Sequence, residues 1–268
     1  MTDKTDVAQL VIRRETDLGY RYFLARRTKD GYWEWIGGKE EEGETIQEAA
    51  IREMREELRI DWREGDYRIV KLGDTYLSED NDMFRLNPVL IELEDEKAGE
   101  IERRHLSEEH DDFAWINLVE YDRFETLGQY LALENLDLVN GDVAIGVVEN
   151  LENGKYLAVK RSEENSSAGY WSFVSGELES GEDPGEAAER EVEEETGIEA
   201  EVVETGEFYI GRGETGSWRL FPVLLQSESK KVELNWELSD CKWIEVEELE
   251  DLETLGRMKA VEKLELGQ

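Results

Sequence analysis

Acidic residues recur at fixed distances from a glycine and an arginine at two places in this chain. The earlier set comprises Gly38, Glu44, Arg52, Glu53, Glu56 and Glu57, and the later set comprises Gly176, Glu182, Arg190, Glu191, Glu194 and Glu195. Positions i, i+3 and i+4 share one face of a helix, so the last three glutamates of each set are expected to converge. Because unpaired carboxylates repel each other and suit hard cations, the spacing predicts a Mg²⁺ site, with Mn²⁺ as an alternative metal.

The glutamates fall in segments whose pattern predicts helices, over about 45–58 and 184–196. Small and apolar residues occupy a different face of each segment and would seat it on a sheet: Ala49, Ala50 and Met54 in the first, and Ala187, Ala188 and Val192 in the second. In the second segment Asp183 suits the N-cap and Pro184 the first helical position. The preceding glycines would let the backbone approach a phosphate closely.

The two sets belong to an internal repeat of the whole chain. Gly31-Tyr32-Trp33 returns as Gly169-Tyr170-Trp171, and Arg85-Leu86-Asn87-Pro88-Val89-Leu90 is echoed by Arg219-Leu220-Phe221-Pro222-Val223-Leu224 in the same order. We therefore predict a duplicated domain, with one copy over residues 1–139 and the other over 140–268.

Each copy has the same predicted sequence of elements. Apolar, β-branched runs predict strands at 7–13, 21–25 and 84–93, and at 142–148, 155–159 and 219–226. Each copy ends in a pattern that predicts a helix, over 119–138 and 246–264. Strands and helices in one compact unit indicate an α+β or layered α/β/α domain.

The two sets resemble the Nudix box, GX5EX7REUXEEXGU with U aliphatic. The second copy meets every position, whereas the first has Arg59 where the box has glycine. The resemblance implies two tandem Nudix domains, each an α/β/α sandwich with a mixed sheet. If a left-handed conformation is needed at Arg59, it costs about 1 kcal/mol without removing a ligand.

The resemblance also implies roles for the residues of the box. The metal would lie on Glu53, Glu56 and Glu57 in the first copy, and on Glu191, Glu194 and Glu195 in the second. Arg52 and Arg190 would orient neighbouring carboxylates, Glu44 and Glu182 would support the loop, and Glu109 or Glu237 is a candidate general base. The reaction implied is hydrolysis of a diphosphate linked to another moiety in small nucleotide-type substrates, such as nucleoside triphosphates or ADP-ribose.

Residues near each box are candidates for binding the substrate: Gly37, Gly38, Lys39 and Arg26 in the first copy, and Gly176 and Arg161 in the second. The arginines end predicted strands, where pairing with surface carboxylates is an equal alternative to binding phosphate. Trp33 and Trp171 are suited to stacking on a nucleobase or to packing in the core.

Composition limits the remaining possibilities. With 68 acidic and 31 basic residues, the formal net charge is −37, which suggests a halophile whose cytoplasm is rich in salt; an ordinary acidic protein with an acidic partner surface is the alternative. Such a charge disfavours long nucleic acid as a partner. One cysteine, Cys241, and two histidines, His105 and His110, exclude a catalytic triad or zinc cluster in each copy, and we interpret all three as structural or incidental. No apolar run is long enough to span a membrane, so we expect a cytoplasmic protein.

Several alternatives stay open at this point. In so acidic a chain, a glutamate-rich helix face can simply be solvated. A nucleotide-sensing or scaffold protein that uses a non-catalytic Nudix domain is the main functional alternative. A mixed protein, with a catalytic second copy and a binding first copy, is a further one. The two domains are also candidates to pack as a pseudo-dimer.

Overall fold

The computed structural model describes residues 4–78, 83–101, 106–126, 129–164, 167–213, 216–254 and 257–267. His105 lies outside these ranges. The chain divides into two compact units, residues 1–139 and 140–268. No helix among the described residues is long and apolar enough to cross a membrane.

The first unit contains eight strands and three α-helices within the described ranges. The strands are β1 (Thr5–Thr16), β2 (Gly19–Arg27), β3 (Trp33–Glu34), β4 (Gly37–Lys39), β5 (Tyr67–Leu72), β6 (Tyr76–Leu77), β7 (Phe84–Leu93) and β8 (His110–Ile116). The helices are α1 (Ile46–Leu58), α2 (Asp95–Ile101) and α3 (Tyr130–Asn135), with a 3-10 helix at Leu118–Arg123.

The second unit repeats this order, with no described counterpart of α2. Its strands are β9 (Asp142–Asn150), β10 (Lys155–Arg161), β11 (Trp171–Ser172), β12 (Val174–Glu177), β13 (Glu201–Thr205), β14 (Tyr209–Gly213), β15 (Gly216–Ser227) and β16 (Leu238–Ile244). Its helices are α4 (Pro184–Thr196) and α5 (Arg257–Lys263), with a 3-10 helix at Val246–Asp251.

Each unit is built on one mixed sheet with the same strand order. In the first, β1 is central: it runs parallel to β7 and antiparallel to β2 and β4, while β8 pairs with the outer side of β2. In the second, β9, β15, β10, β12 and β16 take the same places. The sheet therefore brings β4 beside β1 and β12 beside β9, directly before each glutamate-bearing helix.

Helices cover both faces of the sheet, as strand alternation in the second unit shows. Ala144 and Val148 of β9 pack in one buried cluster with Val192 of α4. Val147, which points to the opposite face, packs in another buried cluster with Val261 of α5. This arrangement confirms the predicted α/β/α sandwich with a mixed sheet.

The glutamate-bearing helices begin at strong caps. Thr45 accepts a hydrogen bond from the N–H of Glu48, whose carboxylate accepts one from the N–H of Thr45. Asp183 and Glu186 form the same reciprocal pair before α4, with Pro184 as the first helical residue. The predicted apolar face is confirmed, because Ala49, Ala50, Met54, Ala187, Ala188 and Val192 are all buried against the sheets.

The prediction of one continuous closing helix is wrong in both units. The 3-10 helix gives way to extended chain at Phe124 and at Leu252. The N–H of Trp33 donates to the carbonyl of Glu125 at 2.9 Å, and the N–H of Trp171 donates to that of Glu253 at 2.8 Å. Because pairing with β3 or β11 requires extended backbone, a tertiary contact overrides the local helical pattern.

Candidate metal centre and active site

Arg190 ties the loop before α4 to the first glutamate of that helix. Its Nε and Nη2 donate to the two carboxylate oxygens of Glu182, each at 2.8 Å, and its Nη1 donates to Glu191 at 2.6 Å. Nη2 also reaches the carbonyl of Glu177 in β12, at 3.1 Å. The hydrogen bonds from Arg190 are the largest cause that lowers the pKa of Glu182 to about 2. One guanidinium thus fixes strand, loop and helix relative to each other.

Arg52 makes the same set of contacts in the first unit. It donates from Nε and Nη2 to Glu44 at 3.1 and 3.0 Å, and from Nη1 to Glu53 at 2.5 Å. Its Nη2 donates to the carbonyl of Lys39 at 2.7 Å, and Nη1 also reaches Glu56 at 3.2 Å. In both units, therefore, the arginine of the box is the common hydrogen-bond donor to a cluster of carboxylates.

The box glycines lie in strands, and their missing side chains make room for the protein's own atoms. A Cβ added to Gly38 would lie 2.5 Å from Oε2 of Glu53, and one added to Gly176 would lie 2.5 Å from Cγ of Glu191. A Cβ on Gly37 would collide with the backbone of Ala8, which pairs with β4. The structure thus supplies a reason for these glycines other than approach to a phosphate: they admit the first glutamate of the helix and the central strand.

The three glutamates of each helix differ in their exposure. Glu57 and Glu195 are buried, whereas the side chains of Glu56 and Glu194 are 60% and 61% exposed. Within the described ranges, no three acidic, histidine or cysteine side chains already form a complete metal-binding cluster. Glu53 is also buried, but it is bonded to Arg52, so the surroundings of the last glutamate of each box, Glu57 or Glu195, bear most directly on the fit to a cation.

The surroundings of Glu195 suit a cation. Burial is the largest cause that raises the pKa of Glu195 to about 8; the negative charges of Glu237 and Glu191 contribute to the rise, while Arg161 opposes it. No hydrogen bond to its carboxylate is found among the described residues. A buried carboxyl group among further carboxylates fits a divalent cation, because the ion would favour its ionised form and neutralise the repulsion.

Glu57 has different neighbours. His110 Nδ1 lies 2.9 Å from Glu57 Oε2, and the hydroxyl of Ser107 donates to the same oxygen. The other ring nitrogen, Nε2, lies 3.0 Å from Glu34. Burial disfavours ionisation of Glu57, yet the bonds from His110 and Ser107 outweigh it and lower the pKa of Glu57. Burial likewise disfavours a charged His110, but its bonds to the two glutamates raise the pKa of His110 to about 9.

The sequence interpretation missed His110 and Glu34. His110 lies opposite Arg27 in the sheet, and Leu238 lies opposite Arg161 at the equivalent position. A histidine where the repeat has leucine was the signal available in the sequence, because a polar side chain at a position that is apolar in the other copy needs a partner if it is buried.

The predicted substrate-binding side chains have varied surroundings. Arg26 pairs with Asp111 at 2.8 Å, so the carboxylate alternative describes its contact in this structure. Lys39 Nζ lies 5.3 Å from the centre of the Phe84 ring. Arg161 acts electrostatically on Glu195, and its counterpart Arg27 helps line a cavity of 480 Å³ together with Thr28, Lys29, Glu34, Glu108 and Glu109.

The candidate bases and tryptophans also have definite positions. Glu237 is close enough to Glu195 to be the largest source of charge repulsion on it, whereas Glu109 lines the cavity beside Glu34. Trp171 is buried in the core and Trp33 is half-buried, edge-on to Phe124 at 4.8 Å. Of the two alternatives, packing in the core rather than stacking on a nucleobase describes the position of Trp171.

Comparison with known proteins adds the decisive observation. The NUDIX domain profile matches residues 4–133 and again residues 141–264. The chain belongs to the Nudix family. As a member of this family, it is a hydrolase that acts on phosphoric anhydride bonds, and Nudix hydrolases generally use divalent metal ions.

Solved structures with a similar fold each correspond to about half of this chain. The MutT protein of Methanosarcina mazei is 25% identical, with a TM-score of 0.37, over 42% of this chain and 83% of that protein. The Ap4A hydrolase of C. elegans is 20% identical, with a TM-score of 0.40, over 50% of this chain and 96% of that protein. A curated octanoyltransferase of Myxococcus xanthus is 41% identical over 63 residues, which make up 23% of this chain and 17% of that protein.

Proposed function

We propose that this Nudix protein is a divalent-metal-dependent pyrophosphohydrolase that cleaves the diphosphate linkage of small nucleoside diphosphate derivatives. Nucleoside triphosphates, ADP-ribose and related conjugates are the substrate class. The observation that carries the proposal is the buried carboxylate of Glu195, which lies within electrostatic range of Glu191 and Glu237 and lacks a hydrogen-bond donor among the described residues. Magnesium is the expected ion, and manganese is expected to replace it.

In the second domain, Glu191, Glu194 and Glu195 would hold the ion, which would polarise the phosphate and lower the pKa of the attacking water. Arg190 orients Glu191 and, through Glu182, fixes the loop that precedes the helix. Glu237, whose charge acts on Glu195, is the proposed general base and would accept a proton from the attacking water at a carboxylate oxygen. Arg161, whose positive charge acts on Glu195, is proposed to bind a substrate phosphate.

The first domain offers the same frame with Glu53, Glu56 and Glu57 on the helix. Gly37, Gly38 and Lys39 of β4, and Gly176 of β12, are proposed to present backbone to the diphosphate. Glu109 would take the place of Glu237. Arg27, which helps line the cavity beside Glu109, joins Arg26 as a candidate contact to the substrate.

The net charge of −37 supports a salt-rich working medium, because screening relieves self-repulsion between surface carboxylates. We therefore propose a halophilic, cytoplasmic protein, and the assay must cover both low and molar KCl. Long nucleic acid is not a proposed substrate, because few cations are available to neutralise its phosphates.

The test is release of phosphate or pyrophosphate from a panel of nucleotide substrates, with Mg²⁺, with Mn²⁺ and with chelator. The variants are Glu57→Gln, Glu195→Gln and the double variant. Glu193→Gln is the matched control, because Glu193 is an exposed carboxylate on the same helix as Glu195. Metal-dependent turnover that the double variant loses and Glu193→Gln retains supports the proposal. Absence of turnover by folded protein across the panel favours the nucleotide-sensing or scaffold alternative.

A further inference from the structure

The two domains differ at the residues that face the last glutamate of the box. In the first domain these are Ser107 and His110, and His110 in turn contacts Glu34. In the second domain, the repeat places Asn235, Leu238 and Ser172 at the same positions. The hydroxyl oxygen of Ser172 is buried and has no hydrogen-bond partner in the described structure.

Two donors compete with a cation for Glu57. Oε2 of Glu57 is within hydrogen-bond distance of His110 Nδ1 at 2.9 Å and is also bonded by the Ser107 hydroxyl. The backbone N–H of Ser107 donates to the carbonyl of Glu57 at 2.9 Å, which fixes the loop against the end of α1. Because the His110 side chain is 3% exposed and contacts Glu34 at its other nitrogen, the ring has little freedom to turn away.

Electrostatic differences reinforce this contrast. The guanidinium of Arg59, which follows α1, acts favourably on the charge of Glu57. The equivalent residue after α4 is Gly197, which carries no charge. Glu195 instead faces the repulsion of Glu237, Glu191 and Glu194, which Arg161 only partly offsets. In the first domain, therefore, the protein's own side chains stabilise the buried carboxylate of Glu57. In the second domain, the equivalent group of Glu195 is left available to a ligand.

We infer that the two domains differ in metal affinity: the second holds the tight divalent-cation site, and the first binds the ion weakly because Ser107 and His110 occupy Oε2 of Glu57. The inference rests on the proposed function only in assuming that a divalent cation is used. The pair Glu34 and His110 are positioning residues in this scheme. They act through Glu57 and set how available its carboxylate is to a metal.

The experiment is Mn²⁺ binding to the full-length chain without substrate, measured by calorimetry and by electron paramagnetic resonance. Molar KCl suppresses weak association with the acidic surface. We expect one tight site in the wild type, which Glu195→Gln removes and Glu57→Gln retains. Two sites of equal affinity, or loss of the tight site in Glu57→Gln alone, overturn the inference.

Exchanging between the domains the residues that face the last glutamate of the box tests whether these residues cause the difference in metal affinity. The triple variant Glu34→Ser, Ser107→Asn and His110→Leu gives the first domain the residues of the second, and a second tight site should appear, with affinity raised about 10- to 100-fold. The reverse triple variant, Ser172→Glu, Asn235→Ser and Leu238→His, should weaken the existing site by a similar factor. Circular dichroism checks that each protein is folded. If the first variant does not fold, the reverse exchange decides, and unchanged affinity in a folded variant overturns the inference.

Failure of this inference and failure of the proposed function give different results. Two equal Mn²⁺ sites together with metal-dependent turnover contradict only the difference in metal affinity between the domains. Absence of any Mn²⁺ site in folded protein contradicts the proposed function itself.

Discussion

Replacing Gly176 by alanine tests whether the glycine of the box exists to seat Glu191. The added Cβ would lie 2.5 Å from Cγ of Glu191 and closer still to its carboxylate carbon. Ordinary contact between such atoms begins at 3.4 Å, so the side chain of Glu191 must shift by about 1 Å or more. The shift also disturbs the 2.6 Å bond from Arg190, because that bond holds the same carboxylate.

The expected effect follows from the size of this displacement. Misplacing a group that positions reactants by about 1 Å costs about a hundredfold in rate, or about 2.7 kcal/mol. We therefore expect kcat/KM with Mg²⁺ to fall about a hundredfold in Gly176→Ala if the second domain performs the turnover. Mn²⁺ affinity of the tight site should fall in parallel, because Glu191 is a proposed ligand.

The matched control is Gly141→Ala in the same domain. A Cβ there would lie 3.4 Å from the Trp218 ring, which is ordinary contact, and we expect wild-type kinetics. Kinetics are measured by phosphate or pyrophosphate release on the best substrate of the panel, with folding checked by circular dichroism. A folded Gly176→Ala protein that keeps kcat/KM and Mn²⁺ affinity close to those of the wild type would refute the reasoning.

Further substitutions test the ends and the hub of the box helices. Arg59→Gly should stabilise the first domain by about 1 kcal/mol, because Arg59 adopts a left-handed conformation at φ 52°; an unchanged urea midpoint would contradict this. Asp183→Ala should cost about 1 kcal/mol in urea unfolding, since it removes the cap of α4, and a change near zero would argue against the cap. Arg190→Lys should lower kcat/KM at least about tenfold, because lysine cannot bond both oxygens of Glu182, while Arg212→Lys at an exposed position should not. Wild-type-like kinetics in Arg190→Lys would refute the hub role. Raising KCl from low to molar concentration should increase the free energy of unfolding, given the net charge of −37, and a decrease would refute that expectation.

Much of the fold was predictable because its signals are local. The box helix of the second copy was predicted from its cap, its apolar face and the position of Pro184, and that of the first copy from its apolar face; these features are confirmed. The paired strands followed from runs of β-branched residues. The closing helices were not predictable in the same way, because the break at Phe124 depends on pairing with Trp33, which lies far away in sequence.

The same distinction between local signals and contacts of distant residues applies to the site. Spacing within a helix places Glu53 and Glu57 on one face whatever the rest of the chain does, since i and i+4 are neighbours on any helix. The contact of Arg52 with both Glu44 and Glu53 involves residues only a few positions apart, so the box itself contains it. The family resemblance stated from these residues agrees with the profile that matches both halves of the chain.

Tertiary structure alone decided how the two copies of the box differ. The sequence presents Glu57 and Glu195 as equivalents, because the glutamates of both boxes have the same spacing. Their surroundings come from distant segments: the sheet brings His110 to Glu57 and Leu238 to the equivalent position. The charge and availability of a buried carboxylate depend on such neighbours through space, and spacing along one helix does not specify them.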